Sequence, residues 1–500
     1  MSRMIVSTGF TVIYSAAATA VAQLAGPSTA QTPYVIPVAP SVQTISLVSN
    51  GGGAATYNGN LVADETYPNL GGGGGYRLGG IPDGLGAFDN GDNTFTLLAN
   101  HELGATQGAV RAHGAAGAYV SKWVINKSDL SVVGGQDLIT SVVGAGGNAP
   151  FGRFCSADLP EQSAFFNPAS GLGTQERIFM TGEEVGAEGR AYGMVVSTGE
   201  ANYLPKLGKF SWENSLASPF AQNKTIVIGT DDSTPGEIYM YVGNKSATGS
   251  EIDKAGLSDG RLFGLKSPVA SETTAATASG AATFVDVTNF TSGADLQAQS
   301  TTGLVTKFAR PEDGVWNPER PNEFYWVNTG TAAAPTRAYR LTLNDITQPE
   351  LGGQIDLLFS GSDASVPQAM DNMTLVNGRD GKTRLLIQED GGSGTDDVWM
   401  YTVEENALLK VATHDAGYSF ADGSESSGII PAWDILGDGW FLMDTQAAYS
   451  INSNGLVAGG QLMAMYVPQS IPEPTVLSAI GAATAVLLRR RRYDMSVRYS

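Results

Sequence analysis

Cysteine is nearly absent from the chain, with Cys155 alone among 500 residues. An internal disulfide framework is therefore excluded, and the fold must be held by its core together with any bound metal. Histidine is almost as scarce: His101, His113 and His414 are the only three, too few and too dispersed for a zinc triad. Positive charge is also short, with 29 Lys and Arg against 49 Asp and Glu, a formal net charge of −20. Such a surface repels nucleic acid, which is excluded as a partner, and attracts cations.

What is present points to strands. The chain is 42% hydrophobic, enough for a large core, and its 63 glycines and 23 prolines punctuate short Val/Ile/Thr/aromatic runs. The clearest example is Asp371 to Gly392. A carboxylate opens an apolar run, the chain turns through Asn377-Gly378-Arg379-Asp380-Gly381, and a second run ends on Glu389 and Asp390. That pattern is a β-hairpin with acidic groups at its strand ends.

The hairpin has relatives along the chain. An apolar run ending in a polar or acidic cluster occurs at Phe95–Glu102, Ile178–Glu184, Ile226–Asp232, Phe324–Gly330, Leu385–Asp390 and Trp440–Gln446, six copies in all. Polar knots precede them, at Pro82-Asp83-Gly84, Cys155–Asp158, Trp212-Glu213-Asn214, Arg310–Asp313, Asp371-Asn372 and Glu425–Gly428. A third run follows most copies, and a fourth follows several. The fold expected is all-β, a six-bladed β-propeller over residues 31–470, with Leu462–Val467 as the outer strand of its last unit. A Ser/Thr/Ala-rich stretch, Ser267–Gly303, is expected to be an insertion with a β-pair around Ala282–Val287, projecting from one face.

The two ends carry targeting features. Residues 1–30 combine Arg3, an apolar stretch and the small-residue end Ser28-Thr29-Ala30, as a secretory signal peptide does; the absence of a twin-arginine pair favours Sec-type export. Near the other end, Pro472-Glu473-Pro474 precedes an apolar run, Val476–Leu488, and the cluster Arg489–Arg492. Taken together these resemble the PEP-CTERM sorting signal, here residues 471–492 with a tail at 493–500. The resemblance implies a short transmembrane segment, processing by an exosortase, and delivery to the cell surface or an exopolysaccharide matrix.

In a propeller the first strands of all blades converge on one channel, so residues that recur at one point of each repeat become neighbours. Asp83, Asp158, Glu312, Asp371 and Glu425 would then meet the strand-end groups Glu102, Glu183, Glu184, Asp232, Glu389 and Asp390. So many carboxylates repel unless cations neutralise them, and carboxylate oxygen suits calcium. Cys155 adds a softer donor that suits iron or zinc, or else it is a small buried hydrophobe. Any single Asp-Gly knot reads equally well as a turn cap, but Glu102, Glu184, Glu312, Glu389 and Glu425 are poor turn formers.

With these motifs assembled, the chain resembles the PhoX-type alkaline phosphatase family, the DUF839 propellers. The resemblance rests on Ala99–Glu102, the Cys155 knot, Gly182–Glu184, Gly236–Lys245, Arg310–Asp313, Asp371-Asn372, Gln388–Gly392 and Glu425–Gly428, which run in order through nearly the whole mature chain. It implies a hydrolase of phosphate monoesters with calcium (Ca2+) and iron (Fe3+) in the channel. Cys155, Glu184, Glu312 and Glu389 would be metal ligands, with Glu102, Glu183, Asp313, Asp371, Asp390 and Glu425 further ones. Arg310 and Arg153 would grip phosphate or pair with a neighbouring carboxylate. Two other readings stand beside it: a non-catalytic calcium-stabilised propeller serving as a surface or matrix interaction protein, and a calcium-dependent esterase or lactonase.

Overall fold

The computed structural model describes residues 22–469, apart from 52–55, 58–59, 145–149, 275, 362–364, 391–395, 419–423 and 452–454. Residues 1–21 of the expected leader, and the sorting segment with its tail, lie outside the described residues. Ala22–Ala25 pairs in parallel with Gln43–Asn50, so the end of the stretch read as a leader lies on a sheet edge. No helix among the described residues is long and apolar enough to cross a membrane.

The strands form four-stranded antiparallel units. The first comprises Pro82–Asp89, Thr94–His101, Tyr119–Asn126 and Val132–Asp137; the second, Phe154–Asp158, Ile178–Glu183, Ala191–Val195 and Glu200–Tyr203. The third comprises Trp212–Ala217, Lys224–Asp231, Ile238–Asn244 and Arg261–Lys266; the fourth, Pro311–Trp316, Glu323–Asn328, Thr336–Leu343 and Gly353–Gly361. The fifth comprises Met370–Asn377, Thr383–Glu389, Asp397–Thr402 and Ala407–His414. Glu425–Pro431, Trp440–Ile451 and Val457–Tyr466 begin the sixth. The first strands of the units touch in sequence, and that of the sixth returns to that of the first, closing a ring around a channel. The chain is thus an all-β, propeller-like fold, and the knots read from the sequence sit at the starts of the inner strands.

Why the second strands read as continuous apolar runs is clear from the packing. Each is covered on both faces by neighbouring units, so the usual alternation of apolar and polar residues disappears. Ile226 and Ile228 pack towards Phe324 and Trp326 of the fourth unit, while Val227 between them faces Ile178 and Met180 of the second. Equivalent seams join the remaining neighbours, such as Leu98 against Phe179, and Tyr325 against Leu385. The core is therefore distributed between units.

Two expectations are corrected. The outer strand of the sixth unit is Gln43–Asn50, in which Ser46 pairs with Met463, and Leu462–Val467 overlaps the third strand instead. Ring closure by an N-terminal strand is a pairing between chain ends that no local pattern announces. Val35–Pro37 likewise edges the fifth unit through Ala407–His414. The Ser/Thr/Ala-rich stretch does not project with a β-pair of its own. Its strand Gly280–Asp286 pairs with Arg261–Lys266 on one side and Gly353–Gly361 on the other, joining the third and fourth units into one nine-stranded sheet. Its helix, Gly293–Gly303, buries Leu296 in the seam beneath the third unit.

Because the seams carry the fold, truncating one of their fully buried residues leaves a cavity between units. Ile228→Ala is expected to cost about 2–5 kcal/mol in equilibrium urea denaturation, whereas Leu351→Ala, at a 59% exposed position, stays within about 0.5 kcal/mol.

Candidate metal centre in the channel

A repeated backbone device delivers the functional side chains. In five units the pairing of first and second strands slips after its opening pair: Pro82 opposes His101 but Leu85 opposes Ala99, and the same step follows Phe154, Trp212, Pro311 and Met370. The extra residue is a β-bulge, which re-aims the side chains beside it. In each case the second residue of the strand lines the channel: Asp83, Cys155, Glu213, Glu312 and Asp371. The sixth unit supplies Glu425, whose strand slips later, between Ser427 and Ile430.

The residues just before four of these strands are left-handed without being glycine, at φ 52° for Ile81, 31° for Arg153, 57° for Arg310 and 43° for Ala369. Such geometry in a β-branched or bulky residue is costly and marks a site where the surroundings enforce it. Here the enforcement is visible. The carbonyls of Ile81, Arg153, Arg310 and Ala369 accept from the N–H groups of Glu102, Glu184, Thr329 and Asp390 at 2.9, 2.8, 3.1 and 2.8 Å. Ser211 accepts from Asp232 in the same way, at 2.9 Å. In four units the residue just beyond the end of the second strand, Glu102, Glu184, Asp232 or Asp390, is thereby turned into the channel, while Thr329 donates its hydroxyl to Glu312.

The resulting pocket, about 250 Å³, is lined by nine carboxylates, Asp83, Glu102, Glu184, Glu213, Asp232, Glu312, Asp371, Asp390 and Glu425, with Cys155, Gln446, Arg153 and Arg310. Four overlapping triads arise: Asp83, Glu102 and Cys155; Cys155, Glu184 and Glu213; Glu213, Glu312 and Asp371; Asp371, Asp390 and Glu425. Within each triad one donor atom from every residue lies within 4.8 Å of the others. Asp83 Oδ1 and Asp371 Oδ1 are buried without a hydrogen-bond partner, a costly state unless something else satisfies them. The donor set, mostly carboxylate oxygen with one sulfur, fits hard cations in loose oxygen-rich geometry beside a position for a softer metal.

Electrostatics point the same way. Burial pushes the carboxyls of Glu102 and Asp371 up to about 8. It raises those of Asp83, Glu213, Glu312 and Glu425 well above the carboxylate range, and their acidic neighbours add to the effect. The Cys155 thiol is also pushed up, by burial and then by Asp83, and it donates to Asp83 Oδ2 at 3.4 Å. The arginines offset part of the charge. Arg310 makes two 2.9 Å bonds to Asp232 and lies 3.1 Å from Glu312. Arg153, half exposed, bridges Glu102 and Glu184.

The structure brings together Asp83, Glu102, Cys155, Glu184, Asp232, Glu312, Asp371, Asp390, Glu425, Arg153 and Arg310 from the sequence-derived set. Four others stand apart. Glu183 precedes Glu184 on an alternating strand and so faces away, held by Arg190 and accepting from Gly152 N at 3.0 Å. Glu389, next to Asp390, turns the same way and accepts from Gln368 N at 2.7 Å and Trp399 Nε1 at 3.0 Å. Asp313 follows Glu312 and lies on the far side of the channel, accepting from Asn214 Nδ2 at 2.6 Å and Met373 N at 3.1 Å. Asp158 also lines that far side. Glu213, present in the sequence only as part of a polar knot, joins the pocket, and its place one residue into its strand, like that of Cys155, marks it.

A second cavity, about 240 Å³, occupies the other half of the channel, and the boundary falls between consecutive residues: 83 and 84, 155 and 156, 213 and 214, 312 and 313, 371 and 372.

No protein-family model matches the chain and no curated protein matches its sequence. Among solved structures the fold is that of a PhoX-like propeller. The Pseudomonas fluorescens PhoX, solved with vanadate as a transition state analogue, is 13% identical, superposes with a TM-score of 0.57, and is matched over 86% of this chain and 96% of its own. TolB from Acinetobacter baumannii, 10% identical over 70% of this chain and 60% of its own, has a TM-score of only 0.30.

With no cation bound, the raised carboxyls make stability pH-dependent. Between about pH 4, where unfolded carboxylates titrate, and about pH 8, the folded Glu102 and Asp371 hold protons that the unfolded chain has released, so stability falls as pH rises. In chelator the Tm is expected to drop across this window, and calcium to restore it most at the alkaline end. A Tm flat from pH 5 to 8 in chelator contradicts the clustering.

Proposed function

We propose that the protein is a metal-dependent phosphomonoesterase working in the channel pocket. The observation that carries this is the chain of four overlapping donor triads, within a fold shared with a phosphatase solved around a phosphoryl transition state analogue. Calcium would be held by the carboxylate triads, and iron by the triads that contain Cys155. Bound cations would polarise the phosphoryl oxygens, activate water and stabilise the leaving oxygen, so no protein nucleophile is needed.

The chain's own residues do the rest. Buried carboxylates from separate units hold ligand atoms at fixed spacing, and their bulged backbones keep them from collapsing outward. Arg153 and Arg310, the pocket's two basic residues, are 49% and 32% exposed at the side chain and can turn a guanidinium to a phosphate arriving from solvent. Phosphate would compete with the carboxylates now paired to them. Both guanidiniums offer paired N–H groups that match phosphate oxygens.

Export belongs to the same proposal. It rests on the terminal sequence features alone, and implies a cell-surface or matrix location with exosortase processing. Fractionation of the native host tests it.

Protein purified without chelators is expected to contain iron beside calcium and to cleave a chromogenic phosphate monoester. Cys155→Ala and Glu184→Gln should each lower kcat at least ~100-fold on the scale of lost metal-site groups, with the fold retained. Glu183→Gln, outside the pocket, should leave cation content unchanged. A fully metallated, folded sample without phosphatase activity would sink the proposal.

A further inference from the structure

The boundary between the two halves of the channel contains a hydrogen-bonded bar whose direction is fixed at its first two links. It starts at Gly428 in the sixth unit, whose backbone N–H donates to Asn372 Oδ1 at 2.6 Å. A backbone N–H can only donate, so the amide oxygen of Asn372 must face it and the amide nitrogen must face the other way. That nitrogen, Nδ2, donates to Ser156 Oγ at 2.6 Å. The Ser156 oxygen is thus already an acceptor, and with Glu213 ionised, as a cation ligand is, its single hydrogen goes to Glu213 Oε1, its other close partner.

The bar crosses the axis. In the ring of touching first strands, Ser156 of the second unit and Asn372 of the fifth lie on opposite sides, and Glu213 belongs to the third. Gly428, Asn372, Ser156 and Glu213 therefore tie four units together at the floor of the acidic pocket. All but Gly428 are buried to 1% exposure or less, so water does not compete for these bonds. Ser156 is itself anchored: Asn100 Nδ2 and Thr181 Oγ1 donate to its carbonyl at 3.2 and 3.1 Å.

Glu213 is the member shared by the two central triads. We infer that Ser156 is a positioning residue for the channel cations: its hydroxyl, committed by Asn372, pins one Glu213 oxygen at the floor and so orients the carboxylate that would serve both central triads. The inference rests on reading the pocket as a cation site. Groups that orient metal-bound carboxylates in this way affect affinity strongly when lost.

The test strips the full chain of metal and titrates it with calcium chloride, reading affinity by calorimetry and calcium per chain by elemental analysis. Ser156→Ala is expected to weaken calcium binding about 10–100-fold, while its Tm in chelator stays near that of wild type. Ser156→Thr, which keeps the hydroxyl, is expected to restore most of the affinity. Asn372→Ala should weaken binding less, and the double variant should lose no more than Ser156→Ala alone, because Asn372 acts through Ser156. Unchanged affinity in Ser156→Ala, or additive losses in the double variant, overturns the inference. If Ser156→Ala fails to fold, Asn372→Ala decides alone, and wild-type affinity there overturns it. Wild-type protein that takes up no calcium overturns the cation reading itself and the inference with it.

Discussion

Nine carboxylates facing one pocket repel one another, and much of the architecture is a means of holding them there. No single unit could do so, because each contributes only one or two acidic groups and a free strand end would swing them into solvent. Closure of the ring removes that escape. The seams between units, filled by residues such as Trp326, Phe179 and Met463, supply the apolar burial that opposes the repulsion. Left-handed residues at Ile81, Arg153, Arg310 and Ala369 are the local counterpart: strained backbone tolerated where it aims a ligand.

Much of this was legible in the sequence for a physical reason. A strand buried on both faces is apolar throughout, so the second strands announce themselves, and the polar knots before them are residues that a propeller would otherwise have no cause to bury. The pocket members Glu102, Cys155, Glu184, Glu312, Asp371, Asp390 and Glu425 were all within reach of that argument. What the pattern could not give was parity. Glu183 and Glu184 are equally acidic and adjacent, yet alternation sends one to Arg190 and the other to the channel. The bulge sets that phase on the first strand, dividing Glu312 from Asp313, and it leaves no mark in composition.

The long-range elements were hidden for a different reason. Gln43–Asn50 looks like any short strand, and only its pairing with Val457–Tyr466 shows that it closes the ring. Gly280–Asp286 sits in a Ser/Thr/Ala-rich stretch with little apolar content, yet it joins two units by backbone pairing, which is indifferent to side-chain type. Glu272, in the same stretch, is fully buried and accepts from Ala309 N and Asn328 Nδ2, both at 2.7 Å. The stretch thereby steadies the turn that carries Arg310.

The closing strand also sets an order of events. A ribosome releases Gln43–Asn50 long before its partner Val457–Tyr466, so the ring stays open until that partner has been made. Pairings this distant form slowly. Until they form, Asp83 and Glu425 at the two sides of the join have no fixed separation, and the pocket that holds the four triads stays open along one side. The cell compartment in which the chain finishes folding is therefore the one whose ions the channel meets first.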